Sequence, residues 1–289
     1  MFYTPLLVTL LAATSSLLTT SSLATSIHAN AMDVKPAHGE DATIPGTITN
    51  RGGPVMSSTT TVNYIWYGAF PATEKSLLYN FTKGLNGSKW WSINRQYGVG
   101  DIVLGSSHTT TVKKTTLTTA AIQSIVMNAI SQDYGTPSPN AIYVVLTNSS
   151  IDQRDGGYGF CTDYCGWHDH MTVNGVDVKY AWIGSPVRCP SSCSTLSSNG
   201  ANSPNNMFEM DSMVGIIAHE LAETTSDEDL NAWYDAGGNE NADKCAWTFG
   251  TTSTGTPQNP SGTWNEHIGN NYFLVQMNWG ITPTQKCYN

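Results

Sequence analysis

The sequence predicts a single α/β (α+β) domain: a mixed β-sheet packed with helices, its loops stapled by disulfides. Three observations carry that prediction. Apolar runs of strand length alternate with segments of helical period, the segments between successive strands are long enough to cross over, and all six cysteines fall after residue 160. With 289 residues and 39% apolar composition the chain can bury an ordinary core.

The elements follow in order. Residues 61–68, TVNYIWYG, are rich in β-branched and aromatic side chains and read as a buried strand. Residues 72–85, ATEKSLLYNFTKGL, place Leu77, Leu78, Phe81 and Leu85 on one helical face. DIVLGSS (101–107) offers a short strand. TTAAIQSIVMNAIS (118–131) repeats the helical period through Ile122, Ile125, Val126, Ala129 and Ile130, and AIYVVLTN (141–148) is a continuous apolar strand. Strands joined through helices imply a largely parallel sheet. From 148 to 206 the chain turns rich in Gly, Ser, Asn and Cys, which predicts loops interrupted by one strand at 178–185, placed at the sheet edge. A helix is expected over 211–225 and a last strand in YFLVQMNW (272–279).

The first 31 residues carry no Asp, Glu, Lys or Arg, and have an apolar centre at 6–13 with small residues at Ala29 and Ala31. They read as a cleaved secretory leader, cut near Ala29 or Ala31, although a basic n-region is missing. No run approaches the ~20 apolar residues of a membrane span. Residues 32–50 lack hydrophobic period and are expected to form a flexible arm, with the folded domain over 51–289. Secretion agrees with an even number of cysteines, Cys161, Cys165, Cys189, Cys193, Cys245 and Cys287. Their local spacing suggests bonds 161–165, 189–193 and 245–287, a pairing that sequence alone leaves open. Sequons at Asn80, Asn86 and Asn148 would admit glycans in a glycosylating host. A formal charge of −9 with 13 Lys plus Arg disfavours nucleic acid as a partner.

Candidate chemistry centres on VGIIAHELAETTSD (214–227). His219 and Glu223, four apart on a helix, share a face, and Glu220 sits beside His219 at its rim. The pattern resembles the zincin signature His-Glu-x-x-His, in which two histidines hold zinc and the glutamate takes a proton from the attacking water; Glu223 here replaces the second histidine. Zinc is the expected ion, with manganese, magnesium or calcium made more competitive by the added carboxylate. The zincin resemblance also suggests a third ligand downstream in NENAD, Glu240 for preference, with Asp243 as alternate ligand or as the group orienting His219. The plainer alternative is a core histidine hydrogen-bonded to Glu223. His168 and His170, two apart in CGWHDH, are read either as lining a cleft or as loop residues, and Tyr180 is a candidate cleft residue on the expected edge strand. Neither a GxSxG elbow nor a phosphate loop is present.

Further motifs in order along the chain are GGPVM (52–56), IWYG (65–68), FCTDYCGWH (160–168), YAWIG (180–184), CPSSC (189–193), IAHELAE (217–223), NAWY (231–234), ADKC (242–245) and FLVQ (273–276). Together they resemble the EXORDIUM or phosphate-induced protein 1 family. The resemblance implies an extracellular or cell-wall protein linked to plant growth, and hands over no reaction. His168, His219, Glu220, Glu223 and the 240–243 segment fall at family-like positions, whereas His170 and His267 do not. The helix is followed by Ser226, Asp227 and Glu228 where the family commonly has a proline stop.

The expected function is that of a secreted protein with a zincin-like core: Glu220 as catalytic base, His219, Glu223, Glu240 and Asp243 around zinc, and an extracellular peptide or wall component bound as a monomer's partner along the edge strand. The alternative is a non-catalytic signalling or wall-binding protein whose ion is structural and closed by protein ligands.

Overall fold

A computed structural model describes residues 31–34 and 44–289. The leader expected over 1–31 therefore lies outside the described residues up to position 30, as does 35–43 of the arm. The central sheet has five strands, β1 (Thr60–Tyr67), β2 (Ile102–Thr110), β3 (Ala141–Thr147), β4 (Gly166–Val173) and β5 (Val176–Ile183), in the order β2-β1-β3-β5-β4. β2, β1, β3 and β5 run parallel, and β4 pairs antiparallel with β5. Every residue of β3 is buried, as befits a central parallel strand covered on both faces.

The helices divide between the faces. α1 (Ala72–Leu85) covers one face, where the Tyr64 and Thr82 hydroxyls are 2.7 Å apart and Trp66 Nε1 donates to the Tyr79 hydroxyl at 3.1 Å. α2 (Lys89–Asn94) begins at Ser88, whose hydroxyl accepts the Trp91 amide as an N-cap. α3 (Thr119–Ala129), capped by the Thr118 hydroxyl, lies on the other face and runs into a π-turn, Ile130–Tyr134. The longest helix, α4 (Phe208–Ser226), packs on the α1 side against β4 and β5. Its residues from Met210 to Ser226 are all buried, so it is a core helix covered on every side rather than an amphipathic surface one.

Four expectations are corrected. The 148–206 stretch holds a full hairpin, β4 and β5, rather than one strand. The strand expected at the edge, 178–185, is interior; β4 is the edge, because the antiparallel return after Val173 places it outside β5. The last strand is broken: Glu266–Ile268 pairs with Asn271–Phe273, Asn278–Gly280 pairs with Lys286–Tyr288, and the residues between run irregularly past α4. The disulfides join Cys161 to Cys189 and Cys165 to Cys193, not the near neighbours, while Cys245–Cys287 is as expected. The loop at 161–165 lies alongside that at 189–193, so packing, not spacing, selects each partner. Of the arm, residues 44–50 are tied to the domain: Ile48 is buried and Thr49–Asn50 pairs with Trp233–Tyr234.

The hairpin of Glu266–Ile268 carries a mostly buried carboxyl. Burial pushes Glu266 up to about 7, against the opposing Lys89 charge. A raised carboxyl pKa means that the folded chain keeps a proton the unfolded chain releases. The associated stability is complete below the ordinary glutamate value of 4.5 and is lost as pH rises through about 7. Glu266→Gln is accordingly expected to raise the melting temperature at pH 8 and leave it nearly unchanged at pH 4; an equal shift at both would show that the carboxyl is not perturbed.

Candidate metal centre

The edge strand can lie close on α4 because Gly166 begins it. A Cβ there would come within 2.9 Å of Glu220 Oε1 and 2.8 Å of Ile216 Cγ2. That approach brings His168, two residues along β4, over the middle of α4. The segment after α4 then folds back, anchored by Asn94: its amide donates to the Thr225 hydroxyl at 2.7 Å, and its oxygen accepts from Asn241 at 2.7 Å. Glu240 and Asp243 are delivered to the same place.

The result is one buried cluster. His168, His219, Glu220 and Glu223 are at most 1% exposed, Glu240 is 2% exposed, and Asp243 is half-buried. His219 Nε2 is 3.0 Å from Glu223 Oε1 and 3.4 Å from Asp243 Oδ1. His168 Nε2 is 3.0 Å from Glu240 Oε2 and 3.7 Å from Glu223 Oε2. Two overlapping sets, His219 with Glu223 and Asp243, and His168 with Glu220 and Glu223, each offer ligand atoms within 4.8 Å of one another. Glu223 is common to both.

Orientation is set from behind. Gln276 donates its amide to the Ala242 carbonyl at 2.8 Å, which turns its oxygen toward His219 Nδ1 at 3.1 Å. Nδ1 therefore carries a proton and Nε2 is the atom that faces Glu223 and Asp243, the orientation in which a metal could take Nε2 in place of its proton. The Asp243 amide donates to Glu223 Oε1 at 3.0 Å, and the Glu240 amide to Asp243 Oδ2 at 3.1 Å, so both carboxylates are aimed by the backbone of the returning segment.

The cluster crowds titratable groups out of water, and their proton affinities shift accordingly. Burial pushes Glu220 and Glu240 well above the ordinary carboxyl range, with Glu223 also raised. Burial opposes charge on His219, but Glu223, Asp243 and Glu220 outweigh it and hold its pKa well above normal. His168 is driven the other way, to about 4, by burial. Four cluster atoms, His219 Nε2, Glu220 Oε2, Glu223 Oε2 and Glu240 Oε1, are buried with no aligned hydrogen-bond partner among the described residues. Orphaned donors and acceptors are costly, and a cation at the His219, Glu223 and Asp243 set would partner the atoms of that set, while Glu240 lies in neither set.

Each expected site residue can now be placed. His219, Glu220, Glu223, Glu240 and Asp243 do come together, with Asp243 nearer His219 and Glu240 on His168. His168 belongs to the cluster itself. Glu220 is not on a rim but wholly buried. Tyr180 is elsewhere: it pairs in register with Asp169, and its hydroxyl meets Asp169 Oδ2 and Gln123 of α3 on the far face of the sheet. The period of two that brings His168 to α4 turns Tyr180 away. His170 joins a separate polar group with Asp177, Lys179 and Asp229. Gln276 is the residue that sequence reasoning missed; its signal was a lone polar side chain ending the apolar run FLVQ. Of the sequons, Asn80 is exposed on α1, Asn86 accepts from Arg95 and the Ile102 amide, and Asn148 accepts from Ser150.

Fold and site define a mixed α/β domain with a buried His/carboxylate centre between a core helix and an antiparallel edge strand. The chain belongs to the family described as phosphate-induced protein 1 conserved region, whose pattern matches residues 48–287. It is 28% identical over 272 residues to the Arabidopsis thaliana protein EXORDIUM-like 3, covering 78% of each chain. Over 214 residues it is 30% identical to EXORDIUM-like 5 of the same plant, covering 63% of this chain and 58% of that one. The Nicotiana tabacum protein PHOSPHATE-INDUCED 1 is 25% identical over 211 residues, 63% of this chain and 65% of the relative. No solved structure matches. Among the described residues no helix is long and apolar enough to cross a membrane.

Proposed function

We propose that this is a secreted, extracellular or cell-wall protein that holds a divalent cation, zinc in the first place, at His219, Glu223 and Asp243, with His168 and Glu240 beside them. The observation that carries the reading is the convergence of His219, Glu223 and Asp243, whose ligand atoms all lie within 4.8 Å of one another in a buried cluster. Imidazole with carboxylates suits zinc, and the excess of oxygen donors keeps manganese in contention. The expected leader and the three disulfides support secretion.

Within that reading the centre has the parts of a zincin-like peptidase. Zinc bound there would supply Lewis acidity toward a carbonyl. Glu220 has one oxygen with no hydrogen-bond partner among the described residues and would accept a proton there, Gln276 orients the His219 ring, and the outer edge of β4 would pair with an extended peptide. Total burial favours a second reading, a closed structural site in an extracellular binding protein, since a catalytic ion keeps a position open. Metal content decides the first step. Hydrolysis of a quenched peptide library that is lost in Glu220→Gln with the metal retained would establish the peptidase, and no hydrolysis by zinc-loaded protein would leave the structural ion.

A further inference from the structure

Residues 31–34 reach into this centre. Met32 is wholly buried and Ala31 is 2% exposed. The Met32 carbonyl accepts from the Cys165 amide at 2.8 Å, the Val34 amide donates to the Asp163 carbonyl at 3.1 Å, and Trp247 Nε1 donates to the Asp33 carbonyl at 3.0 Å. The seat is stapled through Cys165–Cys193. So held, the Met32 backbone nitrogen faces Glu220 Oε1 at 3.4 Å, while Glu220 Oε2 has no hydrogen-bond partner among the described residues.

The same nitrogen is singled out by the sequence. Ala29 and Ala31 stand at the −3 and −1 positions of a leader cut between Ala31 and Met32. Hydrolysis of that bond by the host's leader peptidase consumes one water, leaves the new carboxylate on Ala31 with the departing leader, and frees the Met32 nitrogen, which takes a proton at neutral pH. The cut is made on the extended chain during export, so the burial of this segment in the fold does not hinder it.

We propose that removal of the leader after Ala31 converts the Met32 nitrogen into an α-ammonium that is the built-in counter-ion of Glu220. The buried cluster carries four carboxyl groups, Glu220, Glu223, Glu240 and Asp243, against two imidazoles. One neutral amide donor at 3.4 Å is a poor partner for a buried carboxylate. An ammonium brings a full charge and three donors, and a charge-assisted contact closes to about 2.7–2.9 Å. Processing thereby completes the centre. In the resting protein it also holds Glu220 in an ion pair, which any peptide entering along β4 must displace. The inference rests on the leader reading and is independent of whether a metal is bound.

The test uses protein secreted from a eukaryotic host. N-terminal sequencing and intact mass are expected to show a chain beginning at Met32. In the native protein its α-amine is expected to react with an amine-acylating reagent roughly tenfold or more slowly than exposed lysines such as Lys113, and readily after unfolding. A free α-amine is ordinarily more reactive than lysine at pH 7, so slow labelling reports burial. Glu220→Gln is expected to speed the labelling. A second variant with Gly-Ser retained before Met32 is expected to melt at lower temperature than the native chain. A chain beginning elsewhere, or a Met32 amine labelled as fast as exposed lysine, overturns the proposal. Metal analysis of the same sample separates this failure from that of the metal reading.

Discussion

Purified from a secreting host, the protein is expected to contain about one zinc per chain by elemental mass spectrometry, and His219→Ala to contain none. His219 is the only imidazole in its ligand set, its Nε2 faces Glu223 and Asp243, and its ring orientation is fixed by Gln276. Glu220→Gln should keep the metal, because Glu220 is not in that set. Gln276→Leu should weaken binding by about 10- to 100-fold, the usual effect of removing the partner that orients a ligating histidine. Two zinc ions per chain would mean that the His168 set is filled as well, through the shared Glu223. A wild-type protein that holds no metal even with added zinc or manganese would sink the reading and leave His219 as a core histidine bonded to Gln276.

Asp235→Ala is expected to cost about 3–5 kcal/mol, read as a shift of the urea unfolding midpoint, because it strands a buried cation. Lys244 is 0% exposed; its ammonium donates to Asp235 Oδ2 at 2.7 Å and to the Pro45 carbonyl at 3.1 Å, and lies over the Trp279 ring. Asp235 Oδ1 is occupied by the amides of Gly237 and Asn239. Burial alone would raise the Asp235 pKa, but the hydrogen bonds from Lys244 and Asn239 bring it below the ordinary carboxyl value. The double variant Lys244→Met with Asp235→Asn is expected to recover most of the loss, since it removes the charge and keeps the backbone-accepting oxygen. A loss under about 1 kcal/mol in Asp235→Ala would show that the pair is solvated. Lys244 adjoins Asp243, so the single variant should also lower metal affinity, an effect that the double variant repairs.

The elements most legible in the sequence are those that local pattern specifies. The helix expected over 72–85 is α1 itself, and the strands expected at 61–68 and 141–148 end within a residue of β1 and β3. Their signals are periods of 3.6 and unbroken apolar runs, which lie within one segment and need no partner to be read. The shared face of His219 and Glu223 follows equally from helical spacing. β4 was not legible as a strand in advance, because its polar GWHDHMTV reads as loop until β5 and α4 cover it.

What the sequence by itself determined is therefore the chain's family, the order of its main helices and strands, and the helical spacing that puts an imidazole beside two carboxyls. Tertiary structure decided the rest: β4 rather than 178–185 as the edge, crossed rather than local disulfides, Tyr180 on the far face, His168 over α4, and the division of Asp243 to His219 and Glu240 to His168. The physical reason is common to all of these. Each depends on which remote segment packs against which, and in a sheet a change of neighbour or of one residue in register moves a side chain to the opposite face.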